Sequence, residues 1–361
     1  MIEVREFSDI NDEGLAAVWA DVEASVGAGL FGTSLWVRTW HRHFGRGLSP
    51  AVAVGFRGGR PVGLAPLLAP SPGRRVFPVN FLSPRGGLLV RSEDAPDFAA
   101  NLLGSLRARG ISLGLRGVPV GSDTERTLTS VARDNGYLSH ARASRVSPFI
   151  AIESSWDDFY AGRPRKVTHE WERKMRKLER AGEVRVLRFE KGMDADRLVE
   201  EFDAVERRSW KEDSGTSMSQ RGAVLFYRQL AEALARRGEF APYWLELDGC
   251  VIAFIYGVVH GGTYYAMKTS YDRESSKLSP GVRLFHEAVR DAFGAGLALF
   301  DFLGERARWK DQWATGWTEH ANVRLYPDTL GGRFAHLMDA RVKPLARRVR
   351  DRRRTADAAS T

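Results

Sequence analysis

The sequence predicts an α/β (α+β) protein made of two similar halves in tandem, each a mixed, mostly antiparallel sheet flanked by helices. Three observations carry this. The order strand, tight turn, strand, loop, helix, glycine stop, strand occurs twice along the chain. The copies are offset by about 190 residues at the turns (Gly59 against Gly249) and about 186 at the helix stops (Gly110 against Gly296), a spacing that points to a duplicated domain rather than a solenoid. The length of 361 residues suits about two domains. The expected segments are 1–150, 151–330 and a basic C-terminal helix or tail over 331–361.

In the first half, residues 12–26 have an amphipathic helical pattern with Leu15, Val18, Trp19 and Val22 on one face. Trp36, Trp40 and Phe44 lie four apart behind a Thr33 or Ser34 cap and predict a core-facing aromatic stripe. Ala51–Phe56 and Pro61–Leu68 flank the turn Arg57-Gly58-Gly59-Arg60 and predict a hairpin. Residues 72–87, rich in Pro and Gly, predict a loop around a short strand. A helix from Ala95 to about Arg109 stops at Gly110, and Ile111–Leu115 is a strand.

Trp156–Tyr160, a basic helix over Arg165–Arg180, a helix over about Ala195–Trp210 and a polar loop at 212–221 connect the halves. The second half then reads Trp244–Leu247, turn Asp248-Gly249, Val251–Val259, turn Gly261-Gly262 and Thr263–Met267. Pro280-Gly281 opens a helix to about Phe293, Gly294-Ala295-Gly296 ends it, and Leu297–Phe302 is the last strand. The single cysteine, Cys250, begins an apolar run and predicts a buried strand thiol. One cysteine excludes an intramolecular disulfide framework and argues against a cysteine-rich metal site.

A hydrophobic fraction of 43% and a charged fraction of 27% are those of a globular protein. Met1–Glu6 has no apolar signal-peptide core, and no apolar run approaches a membrane span, so a cytoplasmic location is expected. The net charge of +9 favours anionic partners: nucleotide cofactors, nucleic acid or a membrane surface. It concentrates in Arg163–Arg180 and Arg341–Arg354. The latter carries Val342, Leu345 and Val349 among its arginines and reads as a membrane-surface or nucleic-acid arm or as a solvated terminal helix.

A strand that leads through a loop into a helix N-terminus makes an anion site, because unpaired N–H groups and the helix dipole converge there. Tyr265-Ala266-Met267-Lys268-Thr269-Ser270 followed by Ser279-Pro280-Gly281-Val282 has that form. Pro280 suits the first turn, Ser279 is the expected cap, Gly281 allows close approach, and Lys277 adds charge; the same residues equally suit an ordinary capped helix with no ligand.

Several pieces, in order over roughly residues 30–326, resemble the GNAT acetyltransferases of the cellulose-biosynthesis type. They are Phe31, Trp36, Trp40 and Phe44; Arg165-Lys166, Arg173-Lys174 and Arg176-Lys177-Leu178-Glu179; Arg208-Ser209-Trp210-Lys211; Ser279-Pro280-Gly281; and Phe300-Asp301-Phe302-Leu303-Gly304-Glu305 with Trp309-Lys310 and Trp313. That group stands with the Fem-type ligases among doubled GNAT folds. The sequence departs from it at Glu305-Arg306-Ala307-Arg308-Trp309-Lys310, where the family has an acidic pair followed by Tyr-Lys.

The resemblance implies an acyl-CoA donor, acetyl-CoA first, and no metal. Met267, Lys268, Thr269, Lys277, Ser279, Gly281 and Val282 would bind the donor, its pyrophosphate near Ser279, Gly281 and Val282. Trp210, Lys211, Trp309 and Lys310 would face the acceptor, an amine or hydroxyl of a small molecule or saccharide. The first half would be a degenerate copy; its corresponding helix start, Ser92-Glu93-Asp94-Ala95-Pro96, is acidic and hostile to a pyrophosphate. Acyl transfer needs a deprotonated acceptor, and Asp301 and Glu305 follow the strand that should line the cleft. Against that role, Asp301 suits a turn cap and Glu305 a pair with Arg306 or Lys310. His169, His260 and His286 are further candidate bases. Trp309, Trp313 and Trp317, four apart, suggest one helical face. Two rival readings are a Fem-type transferase using aminoacyl-tRNA, and a non-catalytic adaptor in exopolysaccharide assembly. The basic segments would meet tRNA or an anionic membrane surface.

Overall fold

The computed structural model describes residues 2–82 and 84–342; most of the basic tail expected at Arg341–Arg354 lies outside them. Two compact units emerge. Of the described residues, those within 2–38, 45–144 and 319–342 make up one; Thr39–Phe44 and Arg145–Thr318 make up the other.

The chain begins with β1 (Glu3–Phe7), α1 (Glu13–Val26), α2 (Ser34–Phe44), β2 (Ser49–Pro50), β3 (Val52–Arg57), β4 (Arg60–Ala65), β5 (Leu68–Ser71), β6 (Arg74–Val76) and β7 (Leu89–Val90). It continues with α3 (Ala95–Ala108), β8 (Ser112–Pro119), α4 (Asp123–Ala132) and β9 (Tyr137–Ala151), within which it passes into the second unit. There follow α5 (Trp156–Ala161), α6 (Arg165–Glu179), β10 (Val184–Arg188), α7 (Ala195–Arg207), α8 (Trp210–Asp213), α9 (Val224–Arg236), β11 (Tyr243–Leu247), β12 (Cys250–His260) and β13 (Thr263–Tyr271). The last elements are α10 (Pro280–Gly294), β14 (Leu299–Asp301), α11 (Arg308–Asp311), β15 (Gly316–Pro327) and α12 (Leu330–Leu337). Mostly antiparallel sheets flanked by helices are thus the fold class that the sequence predicts.

Local chemistry explains the elements. Asp12 Oδ1 accepts from Leu15 N at 2.7 Å and starts α1, which buries Leu15, Trp19 and Val22. Thr33 Oγ1 caps α2 through Trp36 N, and Trp36 and Trp40 are buried as expected. In the first unit, β6 and β8 lie parallel with α3 as the crossover between them, and β8 pairs antiparallel with β15 from Leu113↔Leu325 to Pro119↔His320. Phe98, Leu102, Leu103 and Leu106 of α3 pack on Leu113, Leu115, Val323 and Leu325 of these strands.

The second unit repeats the scheme. β10, β11, β12 and β13 are antiparallel neighbours, and β14 joins β13 in parallel after the α10 crossover. Asp248 (φ 50°) and Gly249 (φ 78°) both take the left-handed conformation that a two-residue hairpin turn needs. Leu284, Phe285, Ala288 and Val289 of α10 fill the core against Ile255, Tyr264 and Phe300.

Two sequence expectations are corrected. Cys250 is exposed, not buried; as the first residue after the hairpin turn it precedes the stretch of β12 that is covered. Trp309, Trp313 and Trp317 do not share a helical face. α11 closes after one turn, Trp313 is buried beyond it, and Trp317 is exposed on β15. The short strand expected within the loop at 72–87 is β6, which pairs with β5 as well as β8. No helix of the described residues is long and apolar enough to cross a membrane.

Candidate functional site

β13 pairs with β14 over three residues only, Thr263↔Leu299, Tyr264↔Phe300 and Tyr265↔Asp301. β13 then continues to Tyr271 along β12, while the chain leaves β14 at Asp301. The two strands therefore part. A bulge sharpens the departure: Lys268 lies opposite Tyr256 and Ala266 opposite Gly257, which leaves Met267 as the extra residue. Gly257 is required there, since any Cβ would overlap the Tyr264 hydroxyl and the Ala241 carbonyl.

The opening is a cavity of about 420 Å³. Thr269 and Tyr271 of β13 form one side; Ser279, Gly281 and Val282 at the start of α10 form another; Trp210, Lys211, Trp309 and Lys174 also line it. Pro280 occupies the first turn of α10, which carries no acidic residue. A Cβ added at Gly281 would meet nothing within 4 Å, so the backbone there faces open space. The expected Ser279 cap is not formed. Ser279 is left-handed (φ 55°), its N–H closes the preceding turn on Ser276 O at 3.2 Å, and its side chain makes no cap bond. A capping side chain reaches the helix amides from extended backbone, which this residue lacks. Holding a serine left-handed costs of order 1–3 kcal/mol.

Thr269, Ser279, Gly281, Val282, Trp210, Lys211 and Trp309 are thus brought together on one cavity. The other expected site residues, Met267, Lys268, Lys277, Lys310, Asp301 and Glu305, are not among the described residues that line it. Lys277 is exposed, and its carbonyl accepts from Lys177 Nζ of α6 at 2.9 Å. Lys268 turns to the α7 side of the sheet. There Glu206, fully buried, sits 3.2 Å from both Lys268 Nζ and Lys211 Nζ and accepts from Met218 N at 2.7 Å. Lys211 also donates to Thr269 O, and Lys268 to Thr216 O at 3.0 Å. Glu206 was missed in the sequence; its signal is a glutamate on the apolar face of α7, four residues after Phe202.

Asp301 is buried, and its Oδ1 accepts from Leu303 N at 2.8 Å, the turn-capping role that the sequence reading also offers. Lys310 Nζ donates to Leu303 O (2.8 Å) and Glu305 O (3.0 Å), and Ser147 Oγ donates to Gly304 O at 2.6 Å. These bonds pin the chain through Leu303, a non-glycine residue at φ 50°. Glu305 is exposed on this pinned loop. Arg306 pairs with Asp311 at 2.9 Å, and Lys310 reaches the main-chain oxygen of Glu305 rather than its carboxylate. Trp313 stacks on Trp171 at 3.8 Å. Of the candidate histidines, His169 is exposed, His260 lies 3.2 Å from Glu239, and His286 meets the Trp156 ring edge-on.

Burial pushes Lys268 and Lys310 down to about 8, against the opposing pull of Glu206 and Asp301 respectively. A free lysine titrates near 10.4. Between pH 8 and 10 the unfolded chain therefore binds more protons than the native one at these positions, so these groups make stability rise with pH. Urea midpoints at pH 8 and pH 9.5 should show the rise, and Lys310→Met should flatten it; an unchanged slope would mean that Lys310 ionises as in water.

Among the described residues no three His, Cys, Asp or Glu side chains gather as a metal would require. No curated protein matches the chain in sequence. Among solved structures, FemX shares 13% identity at a TM-score of 0.61, covering 93% of this chain and 99% of its own. L-PGS from Bacillus licheniformis shares 10% identity at a TM-score of 0.57, covering 94% and 98%. A conserved protein of unknown function from Bacteroides thetaiotaomicron shares 11% at a TM-score of 0.51, covering 90% and 100%. At these identities the likeness is one of fold. The stretch from α6 to α11, residues 165–311, which holds most of the cavity, matches the family of the acetyltransferase (GNAT) domain.

Proposed function

We propose that the protein is an acyltransferase that moves an acyl group, acetyl in the first instance, from acyl-CoA to an amine or hydroxyl of a small molecule or saccharide. The observation that carries this reading is the cavity where β13 parts from β14 beside the start of α10. A helix start without acid, next to a position with no side chain, suits a pyrophosphate. Lys174 and Lys177 of α6 add positive charge at the same end. The donor supplies an activated thioester; the chain's residues hold it and place the acceptor against it. Glu305, exposed on a loop fixed by Asp301 and Lys310 and four residues before the cavity-lining Trp309, takes the acceptor's proton in this reading. Asp301, spent on Leu303 N, positions that loop.

Titration calorimetry with acetyl-CoA, CoA and charged tRNA tests the reading. The basic face of α6 and the fold likeness to FemX favour an aminoacyl-tRNA donor as the second reading, and tRNA binding without acetyl-CoA binding would select it. Acetyl-CoA at 100 times its Kd should raise the unfolding free energy by about 2.7 kcal/mol. Gly281→Trp should abolish that gain while leaving the unliganded melting temperature nearly unchanged, because the indole would project into open space. A full gain in the Gly281→Trp protein would place the donor elsewhere.

A further inference from the structure

The first unit holds a second cavity, of about 350 Å³, unrelated to the donor site. Its floor is the face of the β6, β8 and β15 strands opposite to the one that α3 covers. Val76, Gly114 and Arg324 are aligned across the three strands. Alternation along each strand places Arg74, two residues before Val76, and Arg116, two residues after Gly114, on the same face. Arg142 and His140 of β9 complete the wall. Gly114 makes the hollow, since a Cβ there would sit 3.4 Å from Val76 and 3.9 Å from the Arg74 guanidinium.

Four guanidinium groups thus surround one hollow, and Asp339 is the one carboxylate among the described residues lining it. Asp339 is already engaged by Arg324 and the Tyr326 hydroxyl. No ion pair within 4 Å joins Arg74, Arg116 or Arg142 to a carboxylate of the described residues, although Asp339 attracts Arg74 from farther off. The crowding is unfavourable in the empty site: burial first, then the charges of Arg324 and Arg116, push the Arg74 guanidinium below its usual range. Solvated arginines on an open surface spread apart. Here Arg74 is half-buried and held by the sheet register.

We propose that this hollow is a binding site for a diphosphate-bearing ligand. Guanidinium forks match phosphate oxygens two bonds at a time, so two linked phosphates engage three or four arginines where one carboxylate engages one or two. The site is independent of the donor cavity, and its ligand is the head of either a soluble molecule or an anionic lipid.

The test uses the full chain at low ionic strength, where such contacts are least screened. Inorganic pyrophosphate is titrated calorimetrically into wild-type protein and into Arg74→Gln/Arg116→Gln. Saturable binding, weakened at least tenfold in the double variant while the response to acetyl-CoA stays as in wild type, supports the site. Gly114→Leu, which fills the hollow and keeps every charge, should weaken pyrophosphate to a similar degree. Sedimentation with vesicles containing diacylglycerol diphosphate separates the sources: vesicle binding lost in the double variant assigns a lipid headgroup, and free pyrophosphate binding without it assigns a soluble ligand. No saturable binding of either probe, or binding equal in wild type and double variant, overturns the proposal.

Discussion

Replacing Glu206 with alanine is expected to lower the unfolding free energy by about 3–5 kcal/mol, the scale for breaking a buried ion pair on one side. Two ammonium groups, those of Lys211 and Lys268, converge on this fully buried carboxylate. Removing it leaves two like charges side by side under the sheet and takes the acceptor from Met218 N. The loss is limited because stranded lysines can give up their protons, and burial already pushes both downward. The penalty should therefore be larger at pH 6 than at pH 10. Urea unfolding of wild type and Glu206→Ala at both pH values measures it. A loss under about 1 kcal/mol at pH 6 would mean that the lysines reach water and that no buried triad exists. Because Lys211 lines the cavity proposed for the donor and donates to Thr269 O, the same variant should weaken acetyl-CoA binding if that proposal holds.

The second large effect is kinetic. Glu305→Gln should slow acyl transfer by roughly 10²–10⁴-fold, the range for loss of a general base. Its melting temperature and acetyl-CoA affinity should stay as in wild type, since the side chain is exposed. Asp301→Asn should show the converse. Asparagine still accepts from Leu303 N, but the buried charge facing Lys310 is gone, so stability falls and the rate falls less. The assay follows free CoA thiol over a panel of amines and sugars. If Glu305→Gln keeps its rate while Asp301→Asn stays folded and loses its own, the roles of the two carboxylates are exchanged.

The sequence reveals those parts of the molecule whose local chemistry is strong. Pro280-Gly281 with an apolar face repeating every three to four residues marks α10, and Asp248-Gly249 between apolar runs marks the β11–β12 hairpin. β9 escapes such reading because Ser139–Arg145 is polar and largely exposed; its place in a sheet is decided by its neighbours. α4 escapes for lack of a long apolar stripe, although Ser122, which caps Glu125 N, signals its start. At the site, the cavity-lining Thr269, Ser279, Gly281 and Val282 are legible as a strand and a helix start, while Glu206 is not. A glutamate on a helix ordinarily seeks water, and the two lysines brought from α8 and β13, with the Met218 N–H, make its burial tolerable. The Trp309, Trp313 and Trp317 spacing misleads because period four arises by chance where a one-turn helix runs into a strand.

The pairing of β8 with β15 has a consequence for how the chain is made. Val118 meets Ala321 across that ladder, so about two hundred residues must leave the ribosome between one strand and its partner. At 5–20 residues per second this is roughly 10–40 s. During that interval the second unit, nearly continuous in sequence, has time to form, while β8 waits with one edge bare. An unpaired edge of this kind attracts other nascent strands. Newly made protein should therefore depend on chaperones early in synthesis and lose that dependence once residue 327 has emerged.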